Sequence, residues 1–131
     1  MNIGLVAHDT KKELMLNFCI AYKKMLGKHD LYSTGTTGKL ISDNCNLPVH
    51  ILPPGHLGGG RQMSALIECN QLDAVFYFRE PVDQRVREMD YSRVNKLCDI
   101  YNIPLATNIA TAEILIMAID RGDLDWRNAY K

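Results

Sequence analysis

The chain has no surplus of charge: fifteen basic residues are balanced by fifteen acidic ones over 131 residues. A general attraction to DNA, RNA or an anionic membrane therefore has no electrostatic source, and any affinity for an anion must be local. An apolar run of the ~18 residues that a membrane span requires is missing, and no signal-peptide pattern opens at Met1. The four cysteines (Cys19, Cys45, Cys69 and Cys98) make no C-x-x-C pair and have no histidine pair nearby. Metal binding and disulfides are thus disfavoured. Buried free thiols are expected, three of them (Cys19, Cys69 and Cys98) on apolar helix faces. These absences suit a reducing cytoplasm and a protein without metal or cofactor. Repeats, low-complexity segments and linkers are lacking too, so residues 1–131 are expected to form one domain.

What is present is an alternation of short apolar runs and helical stripes. Ile3 to Ala7, Leu31 to Thr34, Val49 to Leu52, Ala74 to Phe78 and Ile103 to Ala106 read as strands. Leu14, Met15, Phe18, Cys19, Tyr22, Met25 and Leu26 fall on one helical stripe, which Asp9 or Thr10 can cap and Gly27 ends. Leu40 and Ile41 mark a short helix, Met63 to Cys69 another, Val94 to Tyr101 a fourth and Ala112 to Asp120 a last, followed by a tail from Leu124. Five alternations with short connections predict a parallel sheet covered by helices on both faces.

Ligands of such sheets bind beyond the carboxyl ends of the strands. The residues expected there are His8, Asp9 and Lys12 after the first strand and Thr34-Gly35-Thr36-Thr37-Gly38 after the second. Pro53 to Gln62, with glycines at 55, 58, 59 and 60, follows the third; Arg79-Glu80 and Thr107-Asn108 follow the fourth and fifth. Glycine-rich turns at helix starts let backbone N–H groups approach an anion, so this rim suits a phosphate monoester. Each member also has an ordinary reading: Asp9 as a helix cap, the threonines as turn residues, Lys12 as a surface charge, His8 as a structural histidine. The arginines at 61, 79, 85, 87 and 93 are offset by Glu80, Asp83, Glu88 and Asp90, which leaves a solvated mixed-charge loop open. His29 and His50 belong to no constellation and are read as surface residues.

The segments Leu5-Val6-Ala7-His8-Asp9, Thr34-Gly35-Thr36-Thr37-Gly38, Gly58-Gly59, Ala65-Leu66-Ile67, Pro104 to Asn108 and Ala110-Thr111-Ala112 together resemble the methylglyoxal synthase family over nearly the whole chain. The resemblance implies a three-layer α/β/α fold with a five-stranded parallel sheet, commonly assembled as a homohexamer. It also implies metal-free conversion of dihydroxyacetone phosphate to methylglyoxal and inorganic phosphate. In the family a carboxylate removes a proton beside the carbonyl, and the enediolate expels phosphate. Carried over by position, Lys12, Thr34, Thr36, Thr37 and Gly55 hold the phosphate. His8 and Asp9 line the same pocket, and Asp90 matches an acidic residue of the active-site loop. The tail arginine, Arg127, corresponds to one that reaches a neighbouring subunit's phosphate site.

Two departures stand out. The family's basic carboxylate, in Gly-Gly-Asp-Gln-Gln, falls on Gly60, with Arg61 next; its catalytic histidine falls on Arg87. Loss of a positioned acid or base costs ~10²–10⁴-fold in rate. Arginine stays protonated and glycine carries no proton. Set against the family pattern, these departures predict a non-catalytic protein that binds, and holds without turnover, a phosphorylated small molecule such as a nucleotide or cyclic nucleotide. Such a protein is a sensor or a sink, of the kind a virus could turn against host nucleotide signalling. Backbone at Gly55, Gly58, Gly59 and Gly60 would serve phosphate, and Arg61 and Arg87 the added phosphate or base. The alternatives are a divergent lyase with Asp9 or Asp90 as base, for which His56 is a further proton carrier in the glycine stretch, and a regulatory or interaction protein.

Overall fold

The structure, a computed structural model, describes residues 1–53, 59–82 and 88–130, the side chains at 59, 60 and 88–90 excepted. Five strands, β1 (Asn2–Ala7), β2 (Asp30–Thr34), β3 (Val49–Leu52), β4 (Ala74–Phe78) and β5 (Leu105–Ala106), form one parallel sheet in the order β3-β2-β1-β4-β5. Register pairs Leu5 with Ser33 on one side of β1 and with Phe76 on the other. The chain thus steps outward from β1 to β2 and β3, crosses back, and steps outward the other way through β4 to β5.

Right-handed crossovers put the helices of opposite steps on opposite faces of the sheet. On one face α1 (Lys12–Ala21), α2 (Lys23–Leu26), α3 (Gly35–Cys45) and the last helix α6 (Ile109–Asp120) enclose a core that includes Leu5, Phe18, Leu31, Ile41, Phe76 and Ile116. On the other, α4 (Gly59–Glu68) and α5 (Glu88–Tyr101) cover Met63, Ile67, Val75, Tyr77, Val94 and Cys98. The three-layer α/β/α expectation is met. Among the described residues no helix is long and apolar enough to cross a membrane.

Local departures have physical causes. The first helical stripe breaks at Tyr22 (φ −111°), whose ring tilts onto Phe18 at 5.2 Å. Asn108, expected only on the rim, is the N-cap of α6 and accepts from the Thr111 N–H at 3.0 Å. The expected tail contains a 3-10 segment, Asp125–Tyr130. Cys19, Cys45 and Cys98 are buried, whereas Cys69 is exposed and corrects the expectation for that thiol; it lies in the turn just past α4. Burial pushes the Cys19 and Cys98 thiols up to about 12, so they remain protonated and unreactive. His29 is half-buried rather than a surface residue, its Nδ1 3.1 Å from the amino terminus of Met1.

The glycines of Thr34-Gly35-Thr36-Thr37-Gly38 have separate tasks. Gly35 takes φ +38° where β2 turns into α3, a region costly for a residue with a Cβ. A Cβ on Gly38 would meet Ile51 at 3.2 Å and Ser33 at 3.4 Å. Glycine there lets the first turn of α3 lie directly on β2 and β3.

Candidate functional site

At the carboxyl edge of the sheet the chain leaves β1 and β2 at adjacent points. His8 to Lys11 make a single 3-10 turn before α1, and Thr34 leads straight into α3. Lys12, the first residue of α1, reaches across this gap. Its Nζ donates to Thr36 Oγ1 at 2.6 Å and lies 2.7 Å from Asp9 Oδ1. One cation thus joins the carboxylate after β1 to the hydroxyl in the first turn of α3.

Asp9 and Thr10, expected as caps, do not cap: neither the 3-10 turn nor α1 has a side-chain cap bond. The Asp9 carboxylate has the stronger partner in Lys12, whose hydrogen bond and charge hold it below the ordinary carboxylate range. It is ionised at neutral pH, and its side chain is 94% exposed, against 25% for Lys12. Thr10 instead donates its hydroxyl to Glu80 Oε2 at 3.0 Å.

Thr34 is the N-cap of α3 in extended conformation, and its side chain makes no cap bond. The first N–H groups of a helix lack partners within it, and its dipole places partial positive charge there. With Lys12 above them, Thr34, Thr36 and Thr37 surround a place where an anion is favoured. Thr37 is buried and Thr36 exposed.

His8 occupies the next position, at the seam of β1 and β4 where the order of the strands reverses, the usual ligand crevice of open α/β sheets. Its backbone N–H donates to the Phe78 carbonyl at 3.0 Å. Its Nδ1 accepts from the Glu80 N–H at 2.8 Å, and its Nε2 lies 3.4 Å from the Tyr77 hydroxyl. Tyr77 had no expected role. A tyrosine in a fully buried strand is itself a signal, because its hydroxyl must find a partner.

The remaining expected site residues divide into those the fold places and those outside the described residues. Gly59 and Gly60 form the first turn of α4, and Arg61 beside them is exposed. Gly55, His56, Gly58, Arg85 and Arg87 lie outside the described residues, as do the side chains of Glu88 and Asp90. A cavity of about 330 Å³ opens beside this rim between α1, α6 and the ends of β4 and β5, lined by Lys11, Leu14, Phe78 and Asn108 among others. It shares no residue with the Lys12–Thr36 crest and has two cations of its own in its lining, Lys11 and Arg79.

Arg127 is corrected outright. Rather than extending toward a neighbouring subunit, its side chain is 3% exposed. It donates to Asp73 Oδ1 at 3.4 Å, to the Asn102 carbonyl at 2.7 Å and to Asn70 Oδ1 at 2.7 Å. These partners belong to the amino-terminal edge of the sheet, opposite the crest.

Comparison with known proteins places this geometry. Residues 14–107 match the MGS-like domain. The methylglyoxal synthase of Caldicellulosiruptor saccharolyticus is 58% identical over 127 residues, 97% of this chain and 90% of that protein. That of Clostridioides difficile is 47% identical over 131 residues, covering 100% and 96%. The crystal structure of methylglyoxal synthase from Elizabethkingia anophelis NUHP1 superposes with a TM-score of 0.79 at 34% identity, covering 88% of this chain and 76% of that one.

These relatives are named for a reaction, and they match the chain almost end to end. That overturns the expectation of a non-catalytic sensor or sink for a nucleotide-derived ligand, and with it the expectation that the chain is no enzyme. The expectation came from two positions, Gly60 and Arg87, taken one at a time.

Proposed function

The chain belongs to the methylglyoxal synthase family, and on that premise we propose that it is a divergent carbon–oxygen lyase forming methylglyoxal and inorganic phosphate from dihydroxyacetone phosphate. The observation that carries this reading is the single ammonium of Lys12 set between Asp9 and Thr36. Lys12, Thr34, Thr36, Thr37 and the first N–H groups of α3 take the phosphate. Asp9, ionised because of Lys12, is the base. It takes a proton from the hydroxymethyl carbon beside the carbonyl, and the electron pair moves into the enediolate. Collapse of the enediolate breaks the carbon–oxygen bond to phosphate, and the enol left behind becomes methylglyoxal.

His8 completes the set. Because its Nδ1 accepts the Glu80 N–H, the neutral ring carries its proton on Nε2. That N–H donates to the oxygen on which enediolate charge develops. A base whose proton affinity is lowered by a neighbouring ammonium is a weak one, so a slow enzyme is expected. In this reading the chain works in the cytoplasm as the family's homohexamer.

Incubating the purified protein with dihydroxyacetone phosphate and assaying methylglyoxal tests the proposal. A rate well above buffer is expected, falling by ~10²–10⁴ in Asp9→Asn. A rate equal to that of buffer overturns it. The double variant Gly60→Asp with Arg87→His is expected to be faster than the wild type, since it returns a second carboxylate and a titratable ring to the site.

A further inference from the structure

Both nitrogens of the His8 ring have a neighbour, the main chain at Nδ1 and a side chain at Nε2. The Glu80 N–H at 2.8 Å from Nδ1 is a strong bond that leaves Nε2 as the protonated nitrogen. Facing Nε2 at 3.4 Å is the hydroxyl of Tyr77, a residue otherwise 4% exposed within the α4–α5 core. The two rings meet edge to face, centroids 5.4 Å apart at 84°. Tyr77 is itself braced by Tyr91 of α5 at 5.5 Å and 74°, and the Arg79 guanidinium lies 4.0 Å over the Tyr91 ring. The hydroxyl therefore belongs to a packed aromatic stack that cannot move independently of β4 and α5.

From this we infer that Tyr77 is a positioning residue for His8: its hydroxyl oxygen accepts the Nε2–H and keeps the imidazole plane aimed along the strand ends until a substrate oxygen takes that proton's hydrogen bond. The inference rests on the lyase reading for its chemistry but not for its geometry. The length of the contact fits the task. A bond of 3.4 Å is weaker than one of 2.8 Å, so an incoming enediolate oxygen displaces it while the ring stays fixed through Nδ1. Without the hydroxyl the ring loses its hold at Nε2. Donor and developing charge are then misaligned, which lowers turnover more than binding.

Tyr77→Phe removes one oxygen and keeps every ring contact, so the fold is retained. In ¹⁵N-labelled protein at pH 8, the His8 Hε2 resonance is expected to be visible in the wild type and lost to solvent exchange in Tyr77→Phe. With dihydroxyacetone phosphate, kcat is expected to fall about threefold to tenfold, the loss of one neutral hydrogen bond, with KM unchanged. An Hε2 line that survives in Tyr77→Phe, or a wild-type ring protonated on Nδ1, overturns the inference. If the wild type makes no methylglyoxal, the lyase reading fails by itself, and the resonance still decides whether Tyr77 holds the ring.

Discussion

The two edges of the sheet carry the same kind of ion pair in opposite states. At the carboxyl edge Lys12 meets Asp9 at 2.7 Å with the carboxylate 94% exposed. At the amino edge Arg127 meets Asp73 with side chains 3% and 0% exposed. Asp73 Oδ2 also accepts the Asn2 N–H at 2.8 Å, and Arg127 reaches the backbone carbonyls of Tyr101, Asn102 and Leu72. The lower pair is a lock: it ties the last segment of the chain to the turns before β4 and β5. The upper pair is incomplete in a useful sense, since water and ligands can reach its carboxylate and the hydroxyl it shares. A charge pair becomes structural when every donor and acceptor finds a protein partner. It becomes chemical when some face solvent at a helix start.

That contrast can be broken from below first. Arg127→Ala removes the guanidinium from the buried Asp73 carboxylate and is expected to cost ~3–5 kcal/mol of folding stability, measured by urea unfolding. If the variant unfolds like the wild type, the amino edge is not a lock. Lys12→Met should leave unfolding nearly unchanged, because exposed pairs contribute at most ~1 kcal/mol. It should instead raise KM for dihydroxyacetone phosphate about tenfold to a hundredfold, the worth of one charged hydrogen bond of ~1.5–3 kcal/mol. A smaller change, about twofold to tenfold in KM, is expected from Thr36→Val, which keeps the shape and removes the hydroxyl. The smallest effect is on acid stability. The pKa of Asp9 is lower folded than unfolded, so its contribution is present above about pH 4, near the unfolded value. It fades as the pH falls through the lower folded value. Unfolding of wild type and Asp9→Asn should converge there, and a gap that widens on acidification contradicts the pairing.

Much of the carboxyl edge was legible in the chain, because its signals are local. Thr34-Gly35-Thr36-Thr37-Gly38 carries its own turn, helix start and close approach within five residues. Little of the amino edge was legible. Arg127 lies 54 residues from Asp73 and 25 from Asn102, and a tail arginine among Asp123, Asp125 and Asn128 looks like any surface charge. Tyr77 and His8 are 69 residues apart, so β4 looked like an apolar strand and not like part of a site. Asp9 shows the reverse error. It reads as a helix cap and does not cap, because Lys12 three residues on offers the carboxylate a full charge where the helix start offers only a dipole.

The sequence alone settled the order of strands and helices, and hence the parallel three-layer sheet, since periodicity is a property of neighbouring residues. It also settled that the polar residues gather where strands end, because glycines, threonines and a lysine follow the apolar runs directly. Only the tertiary structure decided which charges would be spent on the fold and which left for chemistry. Burial and pairing depend on residues far apart in the chain, and the sheet that brings them together exists only once all five strands are in register.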